Sequence, residues 1–226
     1  MSNNISVLAL DGPSGSGKGT VGRRIAIALG WHFLESGALY RTLAYSAQKN
    51  ELGLGDEAAL MHLAATLNVT FDLSDQTGKT AKVMCDGEDI STAIREEACG
   101  MLASKIASMP AVRTALLDRQ RAFREAPGLV ADGRDMGTIV FPDAGLKIYL
   151  DASPEIRALR RHKQLQEQEV SVNLDQLLHD LKERDERDKH RKVAPLKPAE
   201  DAVVIDTSDM TADAVFDKIM NLVDAG

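Results

Sequence analysis

Gly12-Pro13-Ser14-Gly15-Ser16-Gly17-Lys18-Gly19-Thr20 concentrates more chemistry at fixed spacing than any other stretch of the chain. Three glycines, Gly12, Gly15 and Gly17, let the backbone curl until successive N–H groups point inward, and Lys18 adds a full positive charge beside the start of a helix. The product is a cradle for a polyanion, with all nine residues as candidate contacts. Its context supports that reading. Val7-Leu8-Ala9-Leu10-Asp11 before it is strand-like, and Val21, Ile25, Ala28 and Leu29 after it recur at helical spacing. Gly19 separates Lys18 from Thr20, so the hydroxyl that meets Mg²⁺ in the general GxxxxGK[ST] pattern is displaced by one residue.

Further charged residues fall where a parallel sheet collects ligands, beyond the carboxyl ends of its strands. Gly128–Asp132 has the character of a buried strand, and Gly133-Arg134-Asp135-Met136-Gly137-Thr138 follows as a polar, glycine-flanked loop. Asp132, at that strand's end, is a candidate to orient a Mg²⁺-bound water or a substrate arginine. Arg41 is placed in the first turn of a helix, where a cation opposes the dipole; either an anionic partner or the nearby Glu35 would answer it. Ser104 and Arg113 flank a helix break at Pro110, as site residues or as solvated helix surface. Arg157, Arg160 and Arg161 share one side of a helix launched by Ser153-Pro154-Glu155, and the chain turns polar from Gln164 to Glu169. That suits a mobile flap laying arginines over a phosphate chain, or an ordinary exposed charged helix. The face marked by Leu174, Leu177, Leu178 and Leu181 continues into Arg184, Asp188 and Arg191. That helix either runs out into water or crosses a polar cleft.

Positioning these groups requires an alternation of strands and helices. Helices are expected over Lys18–Leu29, after Ser36-Gly37 as punctuation with apolar positions from Tyr40 through Ala47, over Glu57–Leu67, from about Ile94 to a break at Pro110 and restarting there with Pro110 in its first turn, over Leu174–Arg191 and over Ala212–Val223. Strands are expected at Trp31–Glu35, Leu146–Leu150 and Asp201–Asp206. Val69–Leu73 and Thr80–Cys85 alternate across the turn-rich Ser74–Gly78 and form a hairpin, with Gly87–Ile90 as a third edge. This antiparallel patch is an insertion in an otherwise strand-helix chain. No internal repeat or low-complexity tract interrupts it.

Composition narrows the function classes. The 226 residues suffice for one domain with an insertion, and a net charge of −7 argues against nucleic-acid or anionic-membrane binding. A basic cluster here would serve a small anion. The two cysteines, Cys85 and Cys99, lack a CxxC or Cys/His companion and are expected to be reduced and buried. The five histidines are scattered without metal-ligand spacing. With no basic N-terminal region and no spanning apolar run, a soluble cytoplasmic protein is expected.

A phosphate cradle permits a kinase, an NTP-driven switch or a nucleotide-binding regulator without catalysis. Phosphoryl transfer needs cations around the transferring group and an in-line acceptor, and the chain is rich in suitably placed arginines. A switch would need a guanine-reading NKxD-type motif, which is absent from the sequence. Another small-molecule kinase is the nearer alternative. The cradle, Ser36-Gly-Ala-Leu-Tyr-Arg41, Arg119-Gln-Arg-Ala-Phe-Arg124, Ala131-Asp-Gly-Arg-Asp-Met-Gly-Thr138, Ser171-Val-Asn173 and Lys182-Glu-Arg-Asp-Glu-Arg-Asp188 together resemble the bacterial cytidylate kinases, P-loop nucleoside monophosphate kinases, over almost the whole chain. Glu35 departs from the Asp that the family usually places before Ser-Gly.

The resemblance implies an α/β P-loop NTPase fold. A parallel sheet of about five strands is flanked by helices, with a small antiparallel insertion for the monophosphate at about 36–109 and a helical lid at about 153–173. The core is then about 1–35, 110–150 and 174–226. It also implies that the Gly12–Thr20 loop and Lys18 hold ATP, with Thr20 or a water near Mg²⁺. Arg41, Arg134 and Arg191 go to the acceptor phosphate, Arg184 and Asp188 to the sugar hydroxyls, Ser36 to the acceptor site, and Ser104, Arg113 and Asp135 to the base. Lys18, Asp132, Arg134, Arg157 and Arg161 form the expected catalytic set. The expected substrates are ATP with CMP and dCMP, acted on by a monomer.

Overall fold

The computed structural model describes residues 5–74, 81–167 and 169–225. Its central sheet is parallel and contains β1 (Ser6–Asp11), β2 (His32–Glu35), β6 (Gly128–Asp132), β7 (Leu146–Asp151) and β8 (Val203–Asp206), in the spatial order β2-β6-β1-β7-β8. Alternation along the strands decides which core each residue joins. Val7 and Ala9 of β1 meet Leu34, Leu129 and Ala131 in one apolar cluster, whereas Leu8 and Leu10 meet Phe33, Val130, Ile148 and Leu150 in another. The sheet is therefore buried on both faces, as the continuous apolar runs of its strands require.

The second of these clusters is completed by α1 (Lys18–Leu29) and α8 (Ala212–Asp224) through Val21, Ile25, Val215 and Ile219. The first is completed by α2 (Ser36–Lys49), α3 (Glu57–Thr66), α4 (Glu97–Ile106) and α5 (Pro110–Arg121). It extends without interruption into a three-stranded antiparallel sheet of β3 (Val69–Asp72), β4 (Lys82–Cys85) and β5 (Glu88–Asp89). Val69, Val83 and Ile90 carry this continuity, so the antiparallel patch shares the core of α2 and α3. The hairpin turn expected over Ser74–Gly78 lies mostly outside the described residues. Helices α6 (Pro154–Glu167) and α7 (Leu174–Lys189) pack against each other. No described helix is long and apolar enough to cross a membrane.

Three local expectations change. Ser36 and Gly37 are the first turn of α2 rather than punctuation before it, which moves Arg41 into the second turn, away from the exposed amides of the helix start. The helix expected from Ile94 divides into a 3₁₀ turn, Ala93–Arg95, and α4, because Glu96 between them is extended (φ −57°, ψ 145°). The loop after β6 contains a five-residue π-helix, Met136–Val140. Ser153 and Asn173 cap α6 and α7: Ser153 Oγ accepts from Ile156 N at 3.3 Å, and Asn173 Oδ1 from Asp175 N and Gln176 N at 2.8 and 3.1 Å.

Candidate active site

The cradle lies between β1 and α1 at the carboxyl edge of the sheet. Gly12 has φ +144°, and a Cβ there would lie 2.0 Å from the Leu150 carbonyl oxygen of β7, so only glycine lets the loop leave β1 against its neighbour. Gly17, at φ +96°, is the N-cap of α1 and makes no side-chain cap, which leaves the first amides of the helix open toward the loop. Lys18 is buried; its Nζ donates to the Pro13 carbonyl at 2.8 Å and lies 3.4 Å from Ser16 Oγ. Burial and the charge of Arg134 press the lysine down to about 7. A polyphosphate entering this loop would oppose both influences by favouring the charged ammonium.

Position 19 explains the shifted hydroxyl. A Cβ on Gly19 would lie 3.3 Å from Asp132 Oδ2, so the carboxylate occupies the side where a Ser or Thr after the lysine would reach. Thr20, one step further round α1, is exposed. Asp132 ends β6 opposite Leu10 of β1 and Glu35 of β2. Burial lifts its carboxyl to about 6 against the pull of Lys18.

Across from the cradle, arginines converge from four elements. Arg134 Nε donates to Asp188 Oδ2 of α7 at 3.0 Å, and Arg113 of α5 pairs with Asp135 in a contact whose side chains are 9% and 4% exposed. Arg41 of α2 donates to the carbonyls of Ile94 and Glu96 at 2.7 and 3.2 Å. Arg184 Nε and Arg191 Nη2 are buried without a hydrogen-bond partner among the described residues. An orphaned guanidinium nitrogen in a buried site is costly unless an acceptor arrives. Burial and Arg134 press Arg184 down to about 10, whereas Arg134, Arg184 and Arg191 together outweigh burial and hold Asp188 below the ordinary carboxylate range. Burial lifts the Asp135 carboxyl despite Arg113, Arg191 and Arg134. In a chain of net charge −7, this cleft is a local concentration of positive charge.

The two open readings of α7 resolve in favour of the polar cleft. Its leucine face continues into buried Asp185 and Asp188 and half-buried Arg184, so the helix crosses the molecule rather than leaving it. Ser104 of α4 faces this helix, and its hydroxyl accepts from Arg187 Nη1 at 2.9 Å. The flap arginines separate. Arg157 is 2% exposed and turned inward: Nε donates to the Ala152 carbonyl at 2.9 Å, Nη1 to the Ser14 carbonyl at 3.0 Å, and the guanidinium forms a two-point pair with Asp185. It braces the cradle from below instead of hanging over it. Arg160 binds Thr207, and Arg161 reaches Glu97 of α4 at 3.1 Å, so Arg161 alone of the three spans the cleft.

Four contributors escaped the sequence reading. Asp11 is buried and accepts from the amides of Met136 and Gly137, both at 2.8 Å. Gln120 Nε2 donates to Ser36 Oγ at 2.8 Å and orients that hydroxyl. Asp185 fixes Arg157, and Arg187 engages Ser104. Asp185 had a signal, since it lies four residues beyond Leu181 on the same helical face. Asp11 read only as the end of an apolar strand. No group of three or more His, Cys, Asp or Glu that could hold a metal occurs among the described residues.

Comparison with known proteins agrees with this geometry. A protein-family model described as cytidylate kinase matches residues 8–225. A cytidylate kinase of Aeromonas salmonicida is 55% identical over 214 residues, covering 95% of this chain and 92% of that protein. A cytidylate kinase of Shewanella denitrificans is 52% identical over 225 residues, covering 100% and 99%. An uncharacterized protein of Eubacterium ventriosum has a solved structure that superposes with a TM-score of 0.54 at 13% identity, over 98% of this chain and 99% of that one; it shares the fold. With a glycine cradle and an arginine-lined cleft inside a match that runs from β1 to the last helix, the chain belongs to the cytidylate kinase family.

Proposed function

We propose that the chain transfers the γ-phosphoryl group of ATP to the 5′-phosphate of CMP and dCMP, giving ADP with CDP or dCDP. The observation that carries this reading is the pairing of a lysine-bearing glycine cradle with buried, unpartnered arginine nitrogens on Arg184 and Arg191 across one cleft. One wall suits a triphosphate, and the other suits a second phosphate.

In this reading Gly12 to Thr20 holds ATP, and Lys18 trades its bond to the Pro13 carbonyl for phosphate oxygens. Arg41, Arg134 and Arg191 hold the acceptor phosphate, so that one of its oxygens attacks the γ-phosphorus as the bond to the bridging oxygen breaks. ADP leaves with that electron pair. Arg184 and Asp188 receive the sugar hydroxyls, and Gln120 turns Ser36 toward the acceptor. Ser104, Arg113 and Asp135 read the base: a carboxylate accepts from cytosine's exocyclic amine, whereas the O4 of uracil would face it as a second acceptor. Such mispairing of buried polar groups discriminates by several kcal/mol. Segment 36–109 serves as the acceptor-binding unit and 153–173 as the lid, with Arg161 reaching across. Closure would keep water from competing for the transferring group.

The donor set fits Mg²⁺. Mg²⁺ uses one or two carboxylates with waters and substrate phosphates, and Asp132 offers a hard oxygen beside Gly19 without a dedicated protein cage. Asp132, directly or through water, is the residue that would hold it, and the exposed Thr20 is the weaker candidate. Bound with the nucleotide, the ion would neutralise charge on the triphosphate oxygens.

Coupled measurement of ADP release with Mg-ATP against CMP, dCMP, UMP, AMP, GMP and shikimate tests the reading. Strong preference for CMP and dCMP is expected. Equal use of UMP would overturn base reading by Asp135, and no stimulation by any acceptor would leave a nucleotide-binding protein without transfer.

A further inference from the structure

Asp135 occupies the N-cap position of the π-helix Met136–Val140, where an aspartate ordinarily accepts from amides of its own helix. Its side chain makes no such bond and pairs instead with Arg113. Two of the helix's opening amides nonetheless have acceptors, because Asp11 supplies one carboxylate oxygen to each: Oδ1 to Met136 N and Oδ2 to Gly137 N, both at 2.8 Å. Gly133 N donates to the Leu10 carbonyl at 2.9 Å, so the last two residues of β1 grip both ends of the Gly133–Gly137 segment. At the far end of the π-helix, Arg121 Nε donates to the Val140 carbonyl at 3.0 Å and Nη2 to the Ile139 carbonyl at 3.2 Å. The small helix is capped at both ends by residues from elsewhere in the chain.

We infer that Asp11 is a specificity-positioning residue: by capping the Met136–Val140 helix in place of Asp135, it releases the Asp135 carboxylate to face the acceptor base. Asp11 also immediately precedes Gly12, so one residue ties the donor cradle to the base-reading loop. Two separate acceptor oxygens are needed for the two amides. An asparagine offers one, and its NH₂ group would meet an N–H head-on. The buried amide left without an acceptor is expected to draw Asp135 back onto its own helix.

The inference rests on the base-reading role proposed for Asp135, and the test separates the two. Asp11→Asn, Asp135→Ala and the double variant are compared by kcat/KM for CMP and for UMP. Asp11→Asn is expected to lower the CMP/UMP ratio about tenfold, in line with the loss of one buried hydrogen bond and its satisfied partner. It should do so through a raised KM for CMP, and it should have little further effect once Asp135 is alanine. A purely structural role would reduce kcat equally for both acceptors and leave the ratio unchanged; that result, with Asp135→Ala still altering the ratio, overturns the inference and spares base reading. If Asp135→Ala leaves the ratio intact, base reading fails, and the ¹³C carboxyl shift of Asp135 in Asp11→Asn decides the rest: an unmoved signal overturns the capping relation, and a moved one upholds it. Should Asp11→Asn not fold, Asp11→Glu keeps both oxygens one methylene further out, and the same ratio must fall.

Discussion

Replacing Asp185 by alanine should destabilise the protein and loosen its grip on ATP, although Asp185 is not among the residues proposed to touch substrate. Asp185 pairs at two points with Arg157, which is 2% exposed, so the substitution leaves a buried guanidinium short of its counter-charge. Breaking such a pair by removing one partner costs about 3–5 kcal/mol. The lower end applies here, because Arg157 keeps its bonds to the Ala152 and Ser14 carbonyls at 2.9 and 3.0 Å. For a chain of this size, about 3 kcal/mol corresponds to a Tm lower by roughly 6–12 °C. The Ser14 carbonyl belongs to the cradle, and a Cβ on Gly15 would lie 3.1 Å from the Arg157 Cβ, so movement of Arg157 reaches the phosphate loop directly. KM for ATP should therefore rise while KM for CMP changes little. Differential scanning fluorimetry and steady-state kinetics read both effects, and the double variant Arg157→Met/Asp185→Leu should recover at least half of the lost Tm, since an apolar pair removes the stranded charge. A Tm within about 2 °C of wild type for Asp185→Ala, or strictly additive losses in the double variant, would refute the bracing role.

Three further outcomes follow from the charges of the cleft. Lys18 is pressed to about 7 in the free protein, so at pH 8 it is largely neutral, and ATP binding should take up about one proton as the phosphates restore its charge; calorimetry in buffers of different ionisation heat measures this, and a buffer-independent enthalpy contradicts it. Arg184→Met should raise KM for CMP roughly tenfold or more, with Tm unchanged or higher because burial and Arg134 already oppose that charge; a lower Tm with unchanged KM would make Arg184 structural. Asp188 has its folded value depressed by three arginines, so its stabilising contribution is full above the unfolded value of about 3.9 and lost as pH falls through the lower folded value. The Tm gap between wild type and Asp188→Asn should accordingly narrow below about pH 4 and would refute the assignment by staying constant from about pH 3 to 7.

The parts of the molecule that were legible in the sequence are those where local backbone demands leave few options. Gly12, Gly15 and Gly17 all take positive φ in the cradle, and the alternation of Val7 to Leu10 places β1 between two apolar layers. The antiparallel hairpin was readable from its own alternation, but its continuity with the α2 and α3 core was not, because that depends on packing between distant segments. Arginines were harder. Arg157, Arg160 and Arg161 look alike on a helical wheel, yet they meet Asp185, Thr207 and Glu97, partners 28, 47 and 64 residues away. Asp11 was hidden for the same reason: its two amide partners lie 125 and 126 residues downstream. Ser36-Gly37 misled because serine and glycine commonly punctuate, whereas α2 begins directly after β2 with Glu35, the last residue of the strand, as its N-cap.

Phosphorus-31 NMR of Mg-ATP mixed with CMP and the enzyme observes the transferred group itself. Loss of the ATP γ signal should be matched by new signals from ADP and CDP, with no comparable growth of inorganic phosphate. Consumption of ATP to inorganic phosphate without CDP, or an unchanged spectrum, would contradict the claim that the two walls of this cleft deliver a phosphoryl group from one nucleotide to another.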